Sequence, residues 1–401
     1  MTNKNPKLRF NNFSDDWSEK TFSEMAKYRN GKAHENDIVS FGKYIVVNSK
    51  FCSTNGKVIK YSNKQNAPLL KNEIAFVLSD VPNGKALART YLITQNDKYT
   101  LNQRIAGITP LSNTDPYFLY ILMNRNKYFL QFDDGAKQTN LSNDDVLGFS
   151  EFVPEKAEQE KIGNLFKKID LLIEDTTEKY NSILSLKKSL LNKMFIHTDD
   201  EQQPAIRFTG FSKTWERKTI DDYGYFYYGK SAPKWSVSET APIPCVRYGE
   251  MYTKFGNKID KVFSHTNISP DKLVFSKGTE VLVPRVGEDP FDYNHCTWLS
   301  LPNVAIGEMI SVYNTEQNPL FTATMFNATL KYEFAKRVEG GSVTNLYYEK
   351  LKDIRVSFPE KAEQEKISNF FSEIDHLIDL YQEKIQKLLN FKTALNDKMF
   401  V

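Results

Sequence analysis

The strongest constraint on this chain is a segment of about 42 residues that it contains twice. Residues 154–195 read PEKAEQEKIGNLFKKIDLLIEDTTEKYNSILSLKKSLLNKMF, and residues 359–400 read PEKAEQEKISNFFSEIDHLIDLYQEKIQKLLNFKTALNDKMF, with roughly 23 identities. Both are helical in pattern. Ile162, Ile169, Thr176, Ile183 and Leu190 recur at heptad spacing, as do Ile367, Ile374, Tyr381, Leu388 and Leu395. Leu165, Leu172 and Leu186, with Phe370, Leu377 and Phe391 in the second copy, fill a second heptad position. A third row, Phe166, Ile173, Tyr180 and Met194, widens the stripe. Pro154 and Pro359 suit a first helical position, and Glu155, Glu158 and Glu160 complement the helix dipole. At about 1.5 Å per residue each helix runs roughly 55–60 Å. A helix that long with an apolar seam needs a partner, and the nearest is the other copy. The expected seam is Ile162, Ile169, Leu172, Ile183 and Leu190 against Ile367, Ile374, Leu377, Leu388 and Leu395.

A second repeat precedes each helix: PKLRFNNFSDDWSEKT at 6–21 returns as PAIRFTGFSKTWERKT at 204–219. The chain is therefore a tandem duplication of arm, variable block and long helix. The expected boundaries are 1–153 and 199–358 for the two blocks, and 154–198 and 359–401 for the helical segments. The first block predicts strands near 44–48, 57–61, 74–79 and 87–94, a helix at 115–132 and a polar loop at 135–145. The second repeats that order, with strands at 243–248, 280–286 and 297–301, a helix near 318–337 and a loop at 340–350. Both read as compact α+β domains. The helices nearly agree while the blocks agree only in outline. Nine consecutive identities, PEKAEQEKI, include Glu, Lys and Gln, which an apolar seam does not require. Identical exposed charge points to one surface shown to the same partner, and divergent blocks point to two different objects of recognition. The alternative is that the helices are constrained only by packing on each other.

The chain has 401 residues, 40% hydrophobic and 26% charged, as expected of folded soluble domains. No apolar run approaches a membrane span, and the first residues lack the apolar core of a signal peptide. Cys52, Cys245 and Cys296 are odd in number and widely spaced, which argues for a reducing cytoplasm and against disulfides or structural zinc. The net charge is only +3, but the first block carries most of the basic excess and the helices are mildly acidic. That balance permits nucleic-acid binding without demanding it.

No catalytic constellation emerges. Gly224 to Ser231 matches P-loop spacing, but four aromatics stand where small residues must let backbone N–H groups wrap a phosphate. Asn318-Pro319-Leu320-Phe321 is close to the Asn-Pro-Pro-Phe/Tyr signature of adenine methyltransferases but lacks the second proline, and no Gly-x-Gly turn exists to hold a methyl donor. Paired carboxylates with a lysine, as a nuclease would need, are missing. The five histidines show no metal spacing. What remains is polar loops on a basic scaffold. Lys137, Gln138, Thr139 and Asn140 follow a glycine in the first block, as Ser342, Thr344 and Asn345 do in the second. Asn and Gln can pair with adenine, and Arg or Lys with guanine. Asn102, Gln103, Arg104 and Arg285 have the same chemistry, and Lys32, Arg89, Lys230 and Arg247 complete the candidates for DNA contact. The competing reading is ordinary turn chemistry.

The arm P-x-(L/I)-R-F-x-x-F-S-x-x-W and the helix opening P-x-K-A-E-Q-E-K-I resemble the DNA-specificity (S) subunit of bacterial type I restriction–modification systems. The resemblance covers residues 6–400. It implies two target-recognition domains held apart by two conserved helices packed as an antiparallel coiled coil, with an internal pseudo-two-fold repeat. Each domain would read one half of a bipartite double-stranded DNA sequence. Two modification (methyltransferase) subunits would dock and methylate adenine with S-adenosylmethionine, and restriction subunits would join with ATP and Mg²⁺. On that pattern the chain reads DNA, binds no cofactor or metal and catalyses nothing. A different class stays open, a coiled-coil adaptor with two protein-binding α+β domains, which a shallow salt dependence would favour.

Overall fold

The structure, a computed structural model, describes residues 5–401. Two compact units form, one from the residues up to Thr177 with Glu383–Val401, the other from Glu178–Gln382. Each combines one α+β block with a stretch of each long helix.

In the first unit, β1 (Ser18–Thr21) and β2 (Ala26–Asn30) are followed by β3 (Ile74–Val77), β4 (Thr90–Leu92) and β5 (Ile105–Pro110). Strands β2, β5, β3 and β4 form an antiparallel sheet in that order. All four side chains of β3 are buried, and the period-two rule sends them alternately into two cores. Ile74 and Phe76 pack with Phe118 of helix α1 (Pro116–Met123) and Phe166, while Ala75 and Val77 pack with Val47 and Leu101 of a second, five-stranded sheet. The expected helix at 115–132 breaks after α1. Arg125 adopts a left-handed backbone (φ 56°), and Asn126 caps a new helix, Lys127–Leu130, by accepting the amide of Tyr128. The expected strand at 57–61 shrinks to Tyr61–Ser62.

Strand β6 (Ser150–Val153) pairs with β1, Ser18 opposite Val153, and leads into α2 (Lys156–Lys193). The second unit repeats the plan with β7 (Glu216–Thr219), β8 (Gly224–Tyr228), β9 (Glu280–Pro284), β10 (Thr297–Leu299), β11 (Ile310–Thr315), α3 (Pro319–Thr329), β12 (Arg355–Phe358) and α4 (Lys361–Met399). Strands β8, β11, β9 and β10 are consecutive and mutually antiparallel in a five-stranded sheet whose last strand, Lys258–Ile259, is parallel to β10, and β7 pairs with β12. Val281 and Val283 enter one core and Leu282 another, as in β3. The P-loop-like stretch Gly224–Tyr228 is a strand, and Asn318-Pro319 is a helix cap with proline at the first turn.

Arm and helix opening are each other's partners. The Arg9 guanidinium donates twice to Glu158, at 2.8 Å, and Arg207 donates twice to Glu363, at 2.7 Å. Both glutamates are wholly buried, at 0% exposure. Gln159 accepts the amide of Asp115 at 3.0 Å and donates to the Pro154 carbonyl; Gln364 does the same for Asn318, at 2.9 Å, and Pro359. Lys161 lies over the Phe13 ring, and Lys366 over Phe208 and Phe211. The identical Glu158 and Gln159 therefore fasten the helix to its own block, which corrects their reading as an exposed docking surface. Pro154 and Glu155 precede the helix, the carbonyl of Glu155 accepting the amide of Gln159.

Within each unit the start of one helix lies against the end of the other. In the first, Asp170 pairs with Lys392 at 2.5 Å and Phe166 meets Phe400; in the second, Asp375 pairs with Lys187 and Phe371 stacks on Phe195. Ile162, Ile169, Ile367 and Leu395 are buried, and Ile183, Leu190, Ile374 and Leu388 are half-buried. Leu172 and Leu377 are not in the seam: they stand 42% and 41% exposed. The partner row beside the main heptad is the other flank, Phe166, Ile173, Tyr180 and Met194, matched by Phe371, Ile378 and Met399. Thr176, polar but buried, returns its hydroxyl to the Leu172 carbonyl at 2.6 Å, which lets it sit among apolar side chains.

Ile169→Lys should therefore cost several kcal/mol, on the order of 3, by burying an unpaired charge. Leu172→Lys should change stability by less than about 0.5 kcal/mol, as a surface site does. Urea denaturation of the two variants checks the assignment, and equal losses would return Leu172 to the seam.

Candidate nucleic-acid interface

Strand register decides which loops meet. In the first unit Ala106 stands opposite Asn30, Ile105 opposite Val77 and Phe76 opposite Thr90. The end of β2, the end of β3, the start of β4 and the start of β5 therefore lie along one rim of the sheet. That rim carries Lys32 after β2, Arg89 before β4, and Asn102, Gln103 and Arg104 before β5. Residues Thr139–Asn140 add a short strand on Ser79–Asp80, bringing Lys137, Gln138 and Asn140 to the same place. All the first-block candidates share one edge, although they come from four separate stretches of chain.

The second unit builds the same rim. Tyr228 faces Ser311 and Pro284 faces Ile310, so Lys230 after β8 and Arg285 after β9 lie at the same end of the sheet, on either side of β11. Thr344–Asn345 pairs with Val286–Gly287, adding Ser342 and Asn345. Arg247 joins through the Gly307 amide, which donates to the Val246 carbonyl at 2.9 Å. One glycine per unit makes the crossing possible. A Cβ at Gly31 would sit 1.9 Å from the Asn102 carbonyl oxygen, and one at Gly229 would sit 2.1 Å from that of Gly307. No other residue lets the two loops pass this closely, and the lysine after each glycine lands on the rim.

The side chains on the rims fall into groups. Lys32, Gln103, Arg104, Lys137, Gln138, Asn140, Lys230 and Ser342 are exposed, while Arg89, Asn102, Arg247, Arg285 and Asn345 are half-buried. Lys32, Arg104 and Lys137 have no salt-bridge partner among the described residues. Gln103 donates to Glu35, and Gln138 donates to Ser79 at 2.9 Å. Thr139 and Thr344 are corrections to the candidate set. Both are buried, the Thr139 hydroxyl donating to Asp133 and the Thr344 hydroxyl to the Gly287 carbonyl, at 2.9 Å each, so they hold the loop and face away from a ligand.

Sequence reasoning missed the reinforcement around these residues. Arg125 donates to the carbonyls of Gly84 and Leu87, and burial together with this second guanidinium holds Arg89 below the usual arginine range. Two cations from separate stretches of chain, brought close together, concentrate positive potential there. In the second unit Arg285 lies over Tyr228, 4.6 Å to the ring centroid, and Tyr347, 5.4 Å. The run of aromatics before Gly229 was the available signal. Trp235, in the 3-10 turn after Lys230, and Phe41, beyond the short strand Ile38–Val39, are 77% and 89% exposed. Burial pushes the thiols of Cys52, Cys245 and Cys296 up, Cys245 to about 11, so none of them offers a thiolate near neutral pH. Among the described residues no helix is long and apolar enough to cross a membrane, and no cluster of three or more His, Cys, Asp or Glu could hold a metal ion.

Residues 14–185 and 300–390 match the family described as type I restriction modification DNA specificity domain. The fold is similar to that of the type I restriction–modification system S subunit from M. genitalium, with a TM-score of 0.64, 17% identity and 99% of each chain covered. It is also similar to a chain from a structure of complex assembly and conformational transition of the type I R-M system, with a TM-score of 0.54, 14% identity and 96% and 97% coverage.

Neutralising Lys32, Arg104 and Lys137 together, each to Gln, should flatten the dependence of log affinity on log salt by up to about 0.9 per lost phosphate contact, roughly 2.7 in all. Specific and random duplexes should weaken alike. Fluorescence anisotropy titrations over a range of salt check this, and an unchanged slope would take these cations off the phosphate backbone.

Proposed function

The chain belongs to the type I restriction modification DNA specificity family, and on that footing we propose that it reads a bipartite, asymmetric DNA target, one block per half-site, while its helices carry the catalytic partners. One observation carries this reading. The two units share backbone plan, glycine crossing and arm–helix clasp, yet differ in the side chains on the rim. A duplicated scaffold with unlike rims is what two readers of unlike sequences require. Asn102, Asn140 and Asn345 supply paired donors and acceptors suited to adenine, and the rim cations supply contacts to phosphate or guanine.

The exposed flank of the helices supports the docking of two copies of one partner. In the first unit the Asp170–Lys392 pair brings Leu172 level with Phe391; in the second the Lys187–Asp375 pair brings Leu186 level with Leu377. Leu186 and Phe391 are 54% and 53% exposed. Leu172 matches Leu377 in the repeat, and Leu186 matches Phe391, so each unit presents the same apolar pair. Isolated exposed leucines need no explanation, but the same pair twice does. The partners on these surfaces are the modification subunits, which transfer methyl groups from S-adenosylmethionine. Restriction subunits with ATP and Mg²⁺ complete the assembly, and the chain itself binds none of these cofactors.

Two measurements test the proposal. Exchanging residues 204–353 for the matching block of a relative should change one half of the methylated sequence, read by sequencing methylated adenines in a host. A change in both halves, or in neither, would sink the two-reader scheme. Leu186→Asp with Leu377→Asp should leave a complex holding one modification subunit in place of two, measured by native mass spectrometry. Retention of both would move the docking surface elsewhere.

A further inference from the structure

We infer that Arg285 reads a guanine in the half-site of the second block and that Tyr228 and Tyr347 hold its guanidinium for that purpose; the inference rests on the DNA-reading function proposed above. It begins from a comparison of equivalent backbone stations. Leu78 follows β3 and Arg285 follows β9. The amide of Leu78 donates to the Arg104 carbonyl at 3.0 Å, and that of Arg285 to the Met309 carbonyl at 3.2 Å. The Leu78 carbonyl accepts the amide of Leu141, and the Arg285 carbonyl that of Leu346, both at 2.8 Å. The two residues thus occupy one position of a common fold. In the first unit that position holds a leucine packed in the main core.

The fold therefore does not need an arginine here. The ring contacts of the arginine are partly offset, because the Arg285 Nε is buried without a hydrogen-bond partner. Such a group costs stability that leucine would not. Nor does the structure neutralise the charge: no carboxylate pairs with Arg285 among the described residues, and Nη1 reaches only the Glu308 carbonyl, at 3.4 Å.

The neighbours changed with it. Tyr228 stands where the first unit has Asn30, and Tyr347 where it has Ser142; both tyrosines lie against the guanidinium. Tyr228 is itself anchored, its hydroxyl donating to Glu349 at 2.8 Å and its ring against Tyr348. Three substitutions at three separate points of the chain thus build one stacked cation on the rim. A guanidinium held against two rings has less rotamer freedom left to lose when a ligand arrives, so a planar two-acceptor ligand binds it at lower entropic cost. The O6 and N7 edge of guanine is such a ligand in the major groove. A phosphate would bind any mobile cation and would not require the clamp.

The test uses the full chain with its modification subunits. Methylation mapping gives the target, and block exchange assigns the half read by the second block. Each guanine of that half is then replaced in turn by 7-deazaguanine, which lacks the N7 acceptor. At one position the replacement should weaken wild-type binding roughly 5- to 150-fold, the range of a bidentate base contact. It should cost Arg285→Leu nothing further, and that variant should accept other base pairs there while the other half stays as it was. Leucine is the residue of the equivalent station, so the variant should keep its thermal midpoint; if it does not fold, the modified duplexes still decide with wild-type protein. A half-site without guanine, or one in which no 7-deazaguanine weakens wild-type binding, overturns the inference. So does uniform weakening of Arg285→Leu on every duplex with a shallower salt slope, which would assign Arg285 to a phosphate. Absence of any sequence preference in the wild-type complex would instead bring down the DNA-reading function itself.

Discussion

Everything else in each unit hangs on a buried ion pair, Arg9 with Glu158 and Arg207 with Glu363. The glutamates lie in the first turns of α2 and α4, wholly out of water, and each meets a guanidinium in a two-point contact. A carboxylate in that setting is tolerable only with its partner present, and losing either side of a buried pair costs about 3–5 kcal/mol. The pair therefore dictates where the arm crosses the helix. The neighbouring Gln159 and Gln364 then reach the first residue of the cap that opens α1 and α3, so one helical turn orients the arm, the block and the long helix together.

Gly163 and Ser368 show how closely this joint is drawn. A Cβ at Gly163 would come within 2.3 Å of the Asp115 carboxylate, whereas at the equivalent place the Ser368 hydroxyl donates to Asn318 at 3.2 Å. The Asp115 carboxylate sits where a side chain at 163 would be, while the Asn318 amide oxygen stands far enough off to accept the Ser368 hydroxyl. Burial also pushes the Asp115 carboxyl up, against the pull of the amides it caps. The two copies have diverged by compensating pairs around an unchanged backbone.

A joint this rigid frees the opposite end of the block. The rim residues lie at strand ends, where the backbone pairing holds whichever side chain is present. Leu78 and Arg285 are the clearest instance, one station with two side chains of opposite character and the same backbone hydrogen bonds. The backbone hydrogen bonds at this station are the same whether leucine packs into the core, as in the first unit, or arginine stacks on tyrosines, as in the second.

Heptad spacing and the duplicated motifs were enough to predict two long helices, two α+β blocks and the family. Ile169 and Leu395 repeat at intervals that only a helix turns into a face. The same pattern could not choose between the Leu172 flank and the Phe166 flank, since both rows are apolar. Packing against the block and the facing helix buried Phe166 and left Leu172 in solvent. The local signals at 115–132 read as one helix because the left-handed turn at Arg125 is set by a hydrogen bond from its amide to the distant Ala88 carbonyl. The rim was legible as chemistry but not as a place. Lys32, Arg104, Lys137 and Arg285 read by type as candidates for DNA contact, yet strand register alone brings those of each unit to the rim of their own sheet. That register rests on long-range pairings that composition does not encode. The buried Glu158 is the sharpest case: its charge read as surface, and only tertiary structure supplied the arginine that let it be core.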